Sequence, residues 1–227
     1  MKPLSANDRG LHRAIMEGER MYLYSIGIIV LFLIIWFSWK FTSRKKSVPC
    51  PSWLHWAVEL ENPFARSSQS KSIISGLDVE EGMTILDIGC GPGRVSIPLA
   101  RIVGEQGMII SVDIQQEMLD IVKRKALKDN IHNITVVNVP MGEGKLKDYK
   151  VDRAVLAAVL GEIPNRTIAL KEVYNSLKPG GILAISETMF DPHYQRKQTI
   201  LDLVKSIGFA EVGFTGNKLA YTIYLKR

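Results

Sequence analysis

Two aspartates and the glycines between them are the residues of this chain best suited to hold a ligand. Asp87 lies within the apolar run 83–88, and Gly89-Cys90-Gly91-Pro92-Gly93 follows at once. Asp113 closes a second apolar run, 107–112, 26 residues beyond Asp87. Glycines at alternate positions let a ligand approach backbone that any side chain would screen. Their spacing is G-x-G-x-G, one residue short of the G-x-G-x-x-G that seats a pyrophosphate on a helix N-terminus. With a carboxylate beside it, this turn suits a nucleoside ligand that carries a positive end. Asp113 can accept hydrogen bonds from both ribose hydroxyls, or it can cap the helix that follows it. A second group, Glu162, Glu187 and His193, can move protons. Its ordinary reading is a set of solvated carboxylates and a surface or capping histidine.

Positioning these groups requires strands that end where they stand. Strands are expected at 83–88, 107–112, 134–139, 151–157 and 182–186, alternating with helices at 68–76, 94–103, 115–127, 167–177 and 198–207. Helix 94–103 should turn Val95, Leu99, Ile102 and Val103 inward. The runs 210–215 and 219–225, around Gly216-Asn217, read as a closing antiparallel hairpin. The pattern predicts an α/β fold with a doubly wound, Rossmann-like seven-stranded sheet. Ligands of such sheets bind outside the carboxyl ends of the strands, so Glu187, His193 and Tyr194 fall near the site by topology.

Leu86-Asp87-Ile88-Gly89-Cys90-Gly91-Pro92-Gly93-Arg94 resembles the first motif of class I S-adenosylmethionine-dependent methyltransferases. Ser111 to Leu119, with Met118 completing a D-x-x-x-x-M pattern, looks like the second motif, and Leu177-Lys178-Pro179-Gly180-Gly181 like a third. The resemblance runs from about Ile73 to the C-terminus. It implies S-adenosyl-L-methionine as cofactor, with Asp87, Gly89, Cys90, Gly91 and Gly93 around its methionine part and Asp113 and Ile114 at its ribose. Two departures stand out. Many relatives end the third strand in Gly-Asp-Ala, where this chain reads Val137-Asn138-Val139-Pro140-Met141, which leaves Asn138 or Met141 to line the adenine pocket. Relatives of the ubiquinone and menaquinone type often read V-L-H-x-I/V-P, where this chain has Gly161 in place of the histidine. Gly161 is expected to leave room in the site and to leave Glu162 as the ionisable group there. Glu162, His193 and Glu187 are then the candidate catalytic residues. The competing reading is a non-catalytic, cofactor-binding scaffold subunit of a membrane complex.

Ahead of this domain, residues 21–39 carry no charge, and as a helix they would cross a hydrocarbon core of ~30 Å. Tyr22 and Tyr24 at one end and Trp36 and Trp39 at the other match the aromatic belts of two interfaces. Lys40, Arg44, Lys45 and Lys46 follow as a stop-transfer cluster, where a cleaved signal peptide would show a small-residue site. The expected organisation is a tail at 1–20, a transmembrane helix at 21–39, a basic and aromatic linker at 40–66 and the catalytic domain at 67–227. In the linker, Val48-Pro49-Cys50-Pro51 should be extended, and Ser52 should cap a helix at 53–60. Trp53, Trp56 and Leu60 share one face of that helix, which either lies at the membrane surface or packs on the domain. The cytosolic cofactor places the catalytic domain in the cytoplasm on a single-pass anchor, and an anchor fits a small or lipid acceptor such as a quinone, isoprenoid or phospholipid headgroup.

Charge argues against nucleic acid as a partner. The net +6 divides into +4 over residues 1–66 and +2 over 67–227, so the domain itself is nearly neutral. Two cysteines and no paired Cys or His spacing argue against a metal site. They also disfavour arsenite as the acceptor, since only Cys50 lies outside the glycine turn.

Overall fold

The computed structural model describes residues 6–46 and 50–227. The extension expected at Val48-Pro49 and the first five residues of the tail lie outside them, as do the side chains of Trp36 and Trp39. The chain forms two compact units, divided at Lys45–Lys46. The first is α1, Ala6–Lys46, roughly 60 Å long at 1.5 Å per residue. It is longer than the expected 21–39 because neither flank holds a helix breaker: the nearest prolines are Pro3 and Pro49. Within it, Met16–Ile35 has a mean hydropathy of 1.7 and no buried residue, long and apolar enough to cross a bilayer.

The second unit begins with a 3-10 turn at Ser52–Leu54, then α2 (His55–Glu59) and α3 (Ser70–Ser75). Alternation follows: β1 (Thr84–Ile88), α4 (Ser96–Val103), β2 (Met108–Asp113), α5 (Gln116–Lys128), β3 (Ile134–Asn138) and β4 (Val151–Ala157). After these come α6 (Arg166–Ser176), β5 (Leu177–Thr188), α7 (Lys197–Lys205), β6 (Ala210–Gly216) and β7 (Ala220–Lys226). One seven-stranded sheet results, in the order β3-β2-β1-β4-β5-β7-β6. Its first five strands are parallel, and β7 runs antiparallel between β5 and β6. The order reverses between β1 and β4, the place where an open α/β sheet holds its ligand.

Apolar residues cover both faces, as a parallel sheet requires. Leu86, Ile88, Leu156 and Ile185 meet Leu170 and Val173 of α6 on one side. Ile85, Ile109 and Val155 meet Leu99 and Val103 of α4 on the other.

Three local expectations are corrected. In α4 Ile102 is 43% exposed, and Ile97 and Ala100 are buried in its place. The helix starts at Ser96, which centres its inner stripe on 96, 99, 100 and 103. Ser52 makes no capping bond and is the first residue of the 3-10 turn after Pro51. The third motif does not precede β5 but lies inside it: Val151 pairs with Leu177, Arg153 with Ile182, and the intervening residues form an irregularity at Gly180, φ +80°.

Candidate active site

On the β1–β2 side the polar groups are tied to one another. Gly89, Gly91 and Gly93 all adopt left-handed φ, 62°, 51° and 84°, which explains the spacing. A Cβ on Gly89 would lie 2.3 Å from Val159 Cγ2, so that glycine also permits close packing. At Gly91 the nearest atom to a Cβ would be Val58 Cγ1 at 3.8 Å, which leaves a cradle of backbone open to a ligand. Cys90 turns its side chain into a cluster with Leu119 and Val122, and burial pushes its thiol well above the usual range. Its N–H donates to Val112 O at 3.0 Å, and its thiol lies 3.6 Å from Gly91 O.

Asp87 is 1% exposed. Its Oδ2 accepts from Ser96 Oγ at 2.5 Å, and Ser111 Oγ donates to Ser96 Oγ at 2.9 Å. Burial pushes its pKa up to about 6, against the pull of the Ser96 hydrogen bond and the Arg94 charge. Asp113 accepts from the Gly91 N–H through Oδ2 and from the Gln115 N–H through Oδ1, both at 2.9 Å. It does not cap the first turn of α5, whose N-cap position is Gln115. Instead it ties the glycine turn to the end of β2, and each oxygen keeps a second acceptor site. Ile114 is exposed beside it. Asn138 Nδ2 donates to Asp113 O and Ile114 O at 2.9 and 3.0 Å, leaving its carbonyl oxygen as an acceptor. Met141 packs, half-buried, against the main core.

The β4–β5 side is unlike this. After β4, Ala158 holds φ +57° with its N–H on Ser186 O at 2.8 Å, a strained turn that nothing in the sequence announces. A 3-10 turn, Leu160–Glu162, then delivers Glu162. Gly161 does not leave room. A Cβ there would stand 1.9 Å from His193 O and 2.6 Å from His193 Cβ, because the chain after β5 occupies that space. The position that carries histidine in relatives therefore faces the backbone of another one.

His193 is held by its own N–H, which donates to Asp191 Oδ1 at 2.6 Å. Its side chain is 5% exposed, and Nδ1 lies 3.7 Å from both Glu162 Oε1 and Asp191 Oδ1. Glu187 Oε2 accepts from the Gln195 N–H at 3.0 Å. Glu187 Oε1 and both His193 ring nitrogens have no hydrogen-bond partner, and among the described residues no other buried side-chain nitrogen or oxygen is in that position. Burial, then the Asp191 and Asp113 charges, push Glu162 up to about 8, while a hydrogen bond from the Cys50 backbone pulls it down. Burial also holds Glu187 well above the carboxylate range. Tyr194 directs its hydroxyl to Lys218 O, away from this cluster. The turn after β4, the start of α6 and the helix α7 border a cavity of about 260 Å³ lined by apolar Leu160, Ile200 and Leu203 and by polar Asn165, Arg166 and Gln195.

The expected linker closes over both sides. Cys50 O accepts from Gln115 Nε2 at 2.9 Å, and Glu59 pairs with Lys125 at 2.8 Å. Ser96, Ser111 and Gln115 were not legible as site residues; Ser96 sits nine residues beyond Asp87, and only the packing of α4 on β1 brings them together.

Residues 79–223 match the sequence model described as a methyltransferase domain. The chain belongs to this family, the class I S-adenosylmethionine-dependent methyltransferases. The methyltransferase is 31% identical over 118 residues to a demethylmenaquinone methyltransferase of Staphylococcus aureus, covering 52% of this chain and 48% of the relative. A second demethylmenaquinone methyltransferase, from Staphylococcus saprophyticus, is 34% identical over 118 residues, 52% of this chain and 50% of the relative. The chain thus spans about half the length of the curated relatives it matches. In three dimensions it resembles a S-adenosylmethionine-dependent methyltransferase from Aquifex aeolicus, with a TM-score of 0.68 and 21% identity over 78% of this chain and 99% of that one. Family membership gives the domain its methyltransferase fold and S-adenosylmethionine as its cofactor.

Proposed function

We propose that this methyltransferase is anchored by α1 with its catalytic domain in the cytoplasm, and that its acceptor is a small, lipophilic molecule: a quinone, an isoprenoid or a phospholipid headgroup. One observation carries the reading. The unpartnered atoms of Glu187 and His193 and the raised carboxyl of Glu162 converge at the end of β4 and β5, beside a turn that fits the cofactor. Buried polar groups without partners mark places kept for a ligand or a reaction. The apolar window in α1 and the names of the Staphylococcus relatives support the lipophilic class.

The open cradle at Gly91 and the free acceptor sites of Asp113 fit S-adenosylmethionine. Asp87 would face its ammonium end, Gly89, Cys90, Gly91 and Gly93 would line it with backbone, Asp113 and Ile114 would take the ribose, and Asn138 with Met141 the adenine. When bound, the cofactor supplies an electrophilic methyl group on a sulfonium. The protein's own task is alignment and exclusion of water. Glu162 Oε1 is placed to take the acceptor's proton, with a pKa suited to a base near neutral pH. His193 Nδ1, 3.7 Å from that oxygen, orients the acceptor or passes the proton on. Glu187 Oε1, buried and without a partner, is a further contact for the acceptor.

The test is calorimetric titration of the full-length protein with S-adenosylmethionine, followed by incorporation of labelled methyl into extracted quinones, isoprenoids and phospholipids. Micromolar cofactor binding with label in one of these fractions supports the proposal. Binding with label in none of them, and label instead in a water-soluble acceptor, removes the lipophilic class.

A further inference from the structure

The segment from Cys50 to Phe64 has two unlike sides. Inward, the Cys50 backbone hydrogen-bonds Glu162 and accepts from Gln115. Val58 is the side chain nearest Gly91, and Glu59 pairs with Lys125, which also donates to Pro92 O at 2.8 Å. These contacts reach the ends of β1, β2 and β4 at once. Outward, Trp53, Trp56, Leu60 and Phe64 are 71%, 56%, 67% and 79% exposed. Four large apolar side chains left in water by so short a stretch mark an interaction surface.

Its occupant can be read from composition and chain order. Tryptophan is the side chain most at home at headgroup level. In sequence three residues separate the segment from the end of α1, and Lys40, Arg44, Lys45 and Lys46 precede it, complementary to anionic headgroups. A lipid surface fits both features. The inward side makes the consequence specific, because the Cys50 backbone hydrogen-bonds Glu162, which is 19% exposed and lies 3.7 Å from the 5% exposed His193. Around Cys50 and Glu59 the inner contacts are amide hydrogen bonds and an ion pair about one-third exposed, which water and salt weaken. Glu61 with Ser70 and Arg94, and Asn62 with Gln69, hold the far end of the segment to the domain. The outer side chains each gain by leaving water.

We propose that residues 50–64 form a lipid-sensing cover: the Trp53–Phe64 face docks on a bilayer surface, and docking draws Cys50 off Glu162, opening the acceptor site to a molecule dissolved in the membrane. The proposal rests on the membrane-anchored reading of α1.

Cys50 reports the movement. Burial, with Glu162 and Asp191 close by, pushes its thiol up to about 11, so it is a slow nucleophile while covered. The experiment uses the full chain in nanodiscs of anionic phospholipid and in amphipol without a bilayer. Maleimide alkylation is mapped by mass spectrometry, with buried Cys90 as internal control. In a Trp36→Phe, Trp39→Phe background, quenching of Trp53 and Trp56 by brominated acyl chains reports docking. Expected are strong quenching and Cys50 alkylation ~10-fold faster in nanodiscs, an acceleration lost in Trp53→Ser/Trp56→Ser while cofactor binding persists. Unquenched tryptophans overturn docking. Quenching with unchanged Cys50 alkylation in the wild-type chain overturns the cover. Release of the chain from native membranes by carbonate overturns the anchor reading instead, a result distinct from both.

Discussion

Asp113 and Glu187 both stand at the carboxyl end of a strand, both are buried, and both carry a carboxyl pushed upward by that burial. Asp113 has each oxygen bound to a backbone N–H, whereas Glu187 leaves Oε1 with nothing. The same contrast separates Asp87, anchored through Ser96 and Ser111, from His193, whose ring makes no hydrogen bond. The β1–β2 side is therefore preorganised by the protein alone, as a site for one fixed cofactor should be. The β4–β5 side carries its unpaired groups as a cost to stability, consistent with groups that find partners only when an acceptor arrives.

The sharpest way to break this contrast is Glu162→Gln. Loss of a general base should lower kcat by about 10²- to 10⁴-fold while cofactor affinity stays within about threefold; full turnover in the variant would end its role as base. Asp113→Ala should do the converse, weakening S-adenosylmethionine by ~10- to 100-fold in calorimetry through loss of charge-assisted hydrogen bonds. Gly161→Ala tests whether the His193 backbone fills the space beside Gly161. The 1.9 Å clash should lower stability by roughly 1–3 kcal/mol, read as a fall in Tm.

pH separates the two sides next. Asp87, raised to about 6, must be ionised to hold an ammonium group, so cofactor affinity should fall as pH drops through that value. Glu162 must be ionised to act as base, so kcat should climb through about pH 8, and the limb should vanish in Glu162→Gln. Both carboxyls bind protons more tightly folded than unfolded. Their contribution to stability is complete below the unfolded value near 4 and is lost as pH rises through 6 and 8. The smallest effect should come from His193→Phe: turnover about tenfold lower, yet Tm unchanged or slightly raised, because a buried group without partners has been removed. A marked fall in Tm would show that the imidazole is structural.

The two sides also differ in how far the sequence disclosed them. Asp87, the glycine turn and Asp113 were legible as neighbours because their placement depends on backbone conformation and on strand ends, both of which follow from local spacing. Ser96 and Ser111 were not, since serines on a helix and a strand become partners of Asp87 only through packing. Glu162, His193 and Glu187 were legible as ionisable groups at strand ends, but nothing local indicated that they share one cluster. Gly161 was misread for the same reason: absence of a side chain predicts room only if no other segment takes it.

Periodicity and turn residues alone determined the alternation of elements, the glycine turn and the apolar span, because each depends on interactions within a few residues. Only the tertiary structure decided that Cys50 meets Gln115 and Glu162, that the His193 backbone stands against Gly161, and that burial pushes Glu162 up to about 8. Those outcomes depend on burial and on contacts between residues as far apart as Gln115 and Cys50 or Gly161 and His193, which no local pattern encodes.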